Sequence, residues 1–139
     1  IIIALLSVLI FSYMADISIQ NYTIFMVYLF LNSFILGAAG FIAGLWADKF
    51  DNMATVTNFI IVPLSFLSGT FYSIDSLPPM LIEISYYNPF FHMIDGFRYS
   101  FIGTMDGSLS FGIIYLTLIA LSTWFLSFYL YKKGYKIKS

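Results

Sequence analysis

Four stretches of the chain run almost without polar interruption, and short polar or charged segments separate them. Ile1 to Ala15 is apolar throughout, Tyr22 to Trp46 carries no charge, Met53 to Phe71 is uncharged, and Phe111 to Tyr131 is the cleanest of the set. A helix rises about 1.5 Å per residue and a bilayer's hydrocarbon core is about 30 Å thick, so a crossing takes about 20 apolar residues. The pattern predicts spans over about 1–15, 22–46, 53–71 and 111–131. The first is about five residues short of a crossing, as expected of a helix that begins before this sequence does. The chain opens on Ile1 inside that apolar run and reads as the C-terminal part of a longer protein.

Between the last two spans lies Tyr72 to Ser110, too long for an ordinary connection, since structureless loops beyond about 12–15 residues are uncommon unless functional. Ser76 is placed to cap a short helix starting near Pro78 and Pro79, where a first turn tolerates proline. Pro89 predicts a break at Asn88. Beyond it, Phe90, Met93, Ile94, Phe97 and Phe101 recur at helical spacing, with His92, Asp95 and Tyr99 grouped on the opposite side. The expectation is an amphipathic helix in a hairpin over about 76–104 that dips into one leaflet or lies along it. Asp95 and Arg98 are three residues apart and close enough to pair. The same pattern suits a helical cap that only shields the bundle, and an isolated surface pair contributes only about 0–1 kcal/mol. His92 reads either as a satisfied polar contact or as a proton relay.

Composition fixes the setting. The 139 residues are 60% hydrophobic and 21% aromatic but only 9% charged, with mean hydropathy +0.91. A soluble domain carries about 25% charged residues, so this chain lacks the polar surface to cover a globule and is a membrane protein. A net charge of -1 offers no footprint for nucleic acid. No cysteine is present, which excludes a thiolate nucleophile or thiolate metal site, and the lone His92 makes no metal site by itself. The C-terminal KKGYKIKS holds Lys132, Lys133, Lys136 and Lys138, which places that end in the cytoplasm by the positive-inside rule. Alternation then puts Ala47 to Asn52, with Lys49, inside, and Asp16 to Asn21 and Tyr72 to Ser110 outside.

Within the second span Ser33, Gly37, Gly40 and Gly44 line one ridge, the kind of surface on which membrane helices approach closely. The partner helix, in the same chain or in a second copy, is left open by the pattern. Pro63 in the third span removes a backbone bond and predicts a kink, with Gly69 just beyond it, so these two residues form a candidate hinge. The sequence contains no GxxxxGK[ST], HExxH or GxSxG motif, and no charge sits in the middle of a span. Covalent chemistry and an ion-coupled path both lack residues.

The stretch PLSFLSGTFYSIDSLPPMLIEISYYNPFFHMIDGFRYSFIG, Pro63 to Gly103, resembles the signature region of the ABC-2 type transporter permeases. The elements that carry the likeness are Pro63, Phe66-Leu67-Ser68-Gly69, Phe71-Tyr72, Leu77-Pro78, Asn88-Pro89, and Asp95 with Arg98 and Gly103. The resemblance implies an all-α polytopic bundle: about 3.5 transmembrane helices of a six-helix permease, with a re-entrant or interfacial hairpin between the last two. It also implies residence in a bacterial cytoplasmic (inner) membrane, pairing with a second permease copy, and association with a cytoplasmic ATP-binding-cassette ATPase. ATP and Mg would sit on that ATPase, and this chain would be no enzyme. On this reading Phe71, Tyr72, Asn88, Pro89, Asp95 and Arg98 shape an outer gate or substrate path. Because the main coupling helix of such permeases precedes the residues present, 47–52 supplies only a secondary contact. The alternative from another class is a non-transporting membrane scaffold that uses the glycine ridge and hairpin as interaction surfaces. The orientation has a direct check: in intact inverted vesicles an impermeant amine reagent should label Lys132 and Lys133, while a reporter at Thr104 should react only from the opposite face.

Overall fold

A computed structural model describes residues 1–15, 18–47, 50–70 and 76–134. Its elements are α1 (Ile2–Ala15), α2 (Tyr22–Trp46), α3 (Phe50–Val56), a π-helical turn (Thr57–Ile61), α4 (Val62–Phe66), α5 (Pro79–Tyr87), α6 (Pro89–Ile102) and α7 (Leu109–Lys133). No strand occurs among the described residues. The protein is an all-α membrane protein. Helices α2 and α7 are each 25 residues and apolar enough to cross a bilayer, with only 22% and 17% of their most apolar stretches buried within the protein. So much outward apolar surface on long helices suits lipid rather than water.

Local chemistry sets the ends. The Asn21 side-chain oxygen accepts the Ile24 N–H at 3.1 Å and caps α2. Lys132 and Lys133 occupy the last turn of α7, where cations complement the exposed carbonyls. Gly103 ends α6 in the left-handed region at φ 73°, and its N–H donates to the Tyr99 carbonyl at 2.9 Å. A side chain there would be strained and would also meet the Gln20 amide.

Helices α2, α6 and α7 form the core. Tyr28, Ile35, Met93, Leu116 and Ala120 are its buried members, with Ile24, Leu31, Phe97, Ile113 and Ile119 packed around them. Phe25 adds ring contacts to Phe97 and Phe101 at 5.2 and 5.8 Å. The close crossing is made by one ring and two glycines: Tyr28 of α2 lies against Gly96 of α6 and Gly112 of α7. A Cβ on Gly96 would fall 1.9 Å from Tyr28 Cζ, and one on Gly112 would fall 2.8 Å from its hydroxyl.

The fold adds detail to several sequence expectations. Around Gly37, Gly40 and Gly44 an added Cβ would meet nothing within 4 Å, so no described helix of this chain packs closely on the ridge, and of the two partners left open by the sequence a second copy is the one it leaves room for; within the chain Gly96 and Gly112 make the tight contacts. The apolar helix expected over 53–71 runs from Phe50 to Phe66 and is interrupted by the π turn, which replaces the simple proline kink. Pro63 has no N–H to continue the α pattern and stands in the first turn of α4. Gly69, expected as part of a hinge, is buried and left-handed at φ 73° just past the end of α4. The α5 cap falls on Pro78, without a side-chain bond, rather than on Ser76. Phe71 and Tyr72 lie outside the described residues.

The Tyr28 crossing gives a test. Gly96→Ala should cost about 1–3 kcal/mol of stability by overpacking, measured by thermal or denaturant unfolding in detergent. Adding Tyr28→Leu should recover part of that loss, since the ring is what the new methyl strikes.

Candidate functional site: the α5–α6 hairpin

The hairpin enters at Pro78, breaks at Asn88 and returns toward α7 through 103–108. Its second helix shows which of the two sides is covered, a point that the sequence pattern left open. Phe91, His92, Met93, Asp95, Gly96 and Ser100 are buried, while Phe90, Ile94, Phe97 and Phe101 are only half-buried. The polar side of α6 faces inward together with Phe91 and Met93, and Phe97 and Phe101 pack on Phe25 at its edge. In apolar surroundings this is the economical arrangement, because polar atoms turned outward would lose water without gaining partners.

Asp95 organises the first of three polar contacts. Its side chain is 2% exposed. Asp95 Oδ1 accepts from Arg98 Nη2 at 2.6 Å and from the Asp106 N–H at 2.9 Å, and Oδ2 accepts from the Gly107 N–H at 2.8 Å. Arg98 Nη2 also donates to Asp106 Oδ2 at 2.7 Å. One guanidinium therefore joins two carboxylates, and the buried one holds the backbone of the loop that leads into α7. Burial opposes the Arg98 charge, but its hydrogen bonds to Asp106 and Asp95 and their negative charges outweigh that and raise its pKa above the ordinary value. The spacing of three residues anticipated the Asp95–Arg98 pair. Asp106 and the two loop amides are additions that only the chain's return from α6 supplies.

Asn88 makes the second contact. Its Oδ1 accepts the Phe90 N–H at 3.0 Å and so caps α6, while its Nδ2 donates to the Leu64 carbonyl at 2.6 Å. That carbonyl lies in α4, past Pro63. A single buried amide thus joins the end of one helix to the start of another, and Pro89 beside it fixes the first turn of α6.

The third contact closes α5. His92 is buried, and its Nε2 donates to the Tyr86 carbonyl at 2.8 Å, because a carbonyl can only accept. Tyr115 of α7 donates its hydroxyl to the Tyr87 carbonyl at 2.6 Å. Carbonyls left over at a helix end are thereby paired by side chains of α6 and α7. His92 also lies within 5.0–5.3 Å of the rings of Phe91, Phe111 and Tyr115. At the far end of α6, the Ser100 carbonyl accepts from the Gln20 and Asn21 N–H groups at 2.9 and 3.1 Å.

Of the site residues predicted from sequence, the structure brings Asn88, Pro89, Asp95 and Arg98 onto one helix and its two flanks, with Pro63 close by through Leu64. Sequence reasoning missed Asp106 and Tyr115 as polar partners, and missed Tyr28 and Gly112 as the packing that seats α6. No group of three acidic, histidine or cysteine side chains suited to a metal occurs among the described residues. An apolar cavity of about 460 Å³, lined by Ala4, Ser7, Val8, Phe97, Phe101 and Arg98, separates α1 from α6.

The arrangement defines a helical membrane protein in which a proline-broken hairpin, polar side inward, is locked between two apolar helical segments. Residues 1–102 match the ABC-2 type transporter family, and the chain belongs to it. It is 38% identical over 94 residues, 66% of its length, to the inner membrane transport permease YadH of Escherichia coli K12, and equally to the proteins of that name in Escherichia coli O157:H7 and Shigella flexneri. The matched part spans 37% of those relatives. No solved structure matches the chain.

Because Asp95 is buried and multiply bonded, Asp95→Ala should destabilise the protein by about 3–5 kcal/mol, the range for breaking a buried pair. Asp106→Ala, at a partly exposed carboxylate, should cost about 1 kcal/mol. Paired denaturant titrations would read the difference, and equal effects would remove Asp95 from the centre of the network.

Proposed function

We propose that this chain is the C-terminal part of the membrane subunit of an ATP-binding-cassette exporter in a bacterial inner membrane. It forms part of the substrate path and performs no covalent chemistry. The energy comes from a cytoplasmic ATPase subunit that binds ATP and Mg, the partner that membership of the ABC-2 type transporter family implies. A second permease copy completes the path. Family membership and the transport-permease relatives support this reading.

The observation that carries it is the bonding of the hairpin. A segment that only shielded the bundle would need apolar packing alone. Here α6 is joined by separate hydrogen bonds to α4, to the loop before α7, and to the entry of α2. Such a segment follows any shift of its neighbours, which is what a gate driven from the cytoplasmic side requires. In this reading Asn88, Pro89, Asp95 and Arg98 shape the outer gate, together with Phe71 and Tyr72. Pro63 and the turn before it supply the bend. Aromatic side chains such as Phe66, Tyr86, Tyr87 and Phe90 give an amphipathic substrate an apolar surface with little fixed polarity.

The complex can be tested in proteoliposomes. The full-length permease should co-purify with an ATPase of this class and stimulate vanadate-sensitive ATP hydrolysis. Arg98→Ala should lower export by about tenfold, equivalent to about 1.4 kcal/mol, while membrane insertion and pairing persist. Unchanged export would take Arg98 out of the gate. Failure to bind or stimulate any such ATPase would favour the scaffold alternative.

A further inference from the structure

Among the described residues the π turn interrupts an otherwise regular apolar helix, and the bend assigned to it above leaves its surplus residue unexplained. The Val62 N–H donates five residues back to the Thr57 carbonyl, so the turn holds one residue more than an α turn would. Pro63 explains its position, because it offers no N–H and its ring excludes the carbonyl four residues earlier. The Thr57 hydroxyl donates to the Met53 carbonyl at 3.0 Å and anchors the upstream side. Phe59, Ile60, Ile61 and Val62 are exposed, so among the described residues no tight packing fixes the register there. Downstream, the segment is held firmly: Ser68 and Gly69 are buried, and the Leu64 carbonyl is taken by Asn88.

We propose that the π turn at Thr57–Ile61 is a slip joint in this helix, and that Asn88 is the pin that delivers its movement to α6. Passing the surplus residue along the helix shifts the downstream part by about 1.5 Å and about 100° for each residue moved. A hydrogen bond of 2.6 Å does not stretch by that much. With one amide bonded both to Leu64 and to the Phe90 N–H, the start of α6 must follow α4 or the bond must break. The inference concerns motion within this chain and does not depend on what the protein transports.

The experiment is amide hydrogen exchange of the full-length protein in lipid nanodiscs, without nucleotide or substrate. Deleting Ile60 removes the surplus residue and leaves both flanks in register. Exchange over 57–66 should slow by about tenfold, and exchange over 88–93 should slow with it. Asn88→Asp separates the pin from the cap, because its carboxylate still accepts the Phe90 N–H but has no donor for Leu64. In the Asn88→Asp background the deletion should still slow 57–66 but leave 88–93 unchanged. Pro63→Ala, which restores the missing N–H, should act in the same direction as the deletion and serves if the shortened chain does not fold. The proposal is overturned if 88–93 ignores the deletion while Asn88 is present, or responds equally in the Asn88→Asp background.

Discussion

A polar group placed among apolar side chains is costly unless it finds a partner within the protein, because neither lipid nor a packed core supplies one. This requirement governs α6. Its buried carboxylate, imidazole and amide could not remain at those positions unless donors and acceptors reached them from neighbouring elements. The Asp95 carboxylate is matched by a guanidinium and two backbone N–H groups, His92 by a carbonyl of α5, and Asn88 by a carbonyl of α4. Each match also fixes a neighbour. The loop before α7, the last turn of α5 and the end of α4 take their places from the polar side of one 14-residue helix.

Packing follows from that arrangement. For α6 to turn its polar side inward it must approach α2 and α7 closely, and the approach is made where glycines remove side-chain bulk. Tyr28 fills the resulting space, so one ring touches three helices. The ridge of Gly37, Gly40 and Gly44, although it has the familiar spacing, has no neighbour from the described residues. Small residues permit close approach, and within this chain that approach is made at Gly96 and Gly112.

The transport reading draws on both levels. Family membership places the chain among ABC-2 type transporter proteins, and the fold shows a hairpin attached to its surroundings by directional bonds in addition to apolar packing. Directional bonds carry displacement because they fail when misaligned, whereas apolar contacts tolerate sliding. A gate built on the former responds to small shifts of the helices around it.

Composition and hydropathy were enough to establish a helical membrane protein, because charge is too sparse to cover a soluble globule. The long apolar runs gave α2 and α7 to within a few residues, and Asn88-Pro89 gave the break in the hairpin, since both effects act locally along the chain. Spacing also gave the Asp95–Arg98 pair, for residues three apart on a helix are neighbours whatever surrounds them. The direction in which α6 faces was not legible: an amphipathic pattern states that two sides differ, and only the surroundings decide which side is buried. Asp106, Tyr115 and Leu64 lie 8, 28 and 24 residues along the chain from their partners Arg98, Tyr87 and Asn88, Tyr28 packs on Gly96 across a still longer separation, and such contacts exist only after the helices have packed. Likewise Pro63 announced an irregular helix, but whether the irregularity became a kink or a π turn depended on which carbonyls found donors in the folded structure.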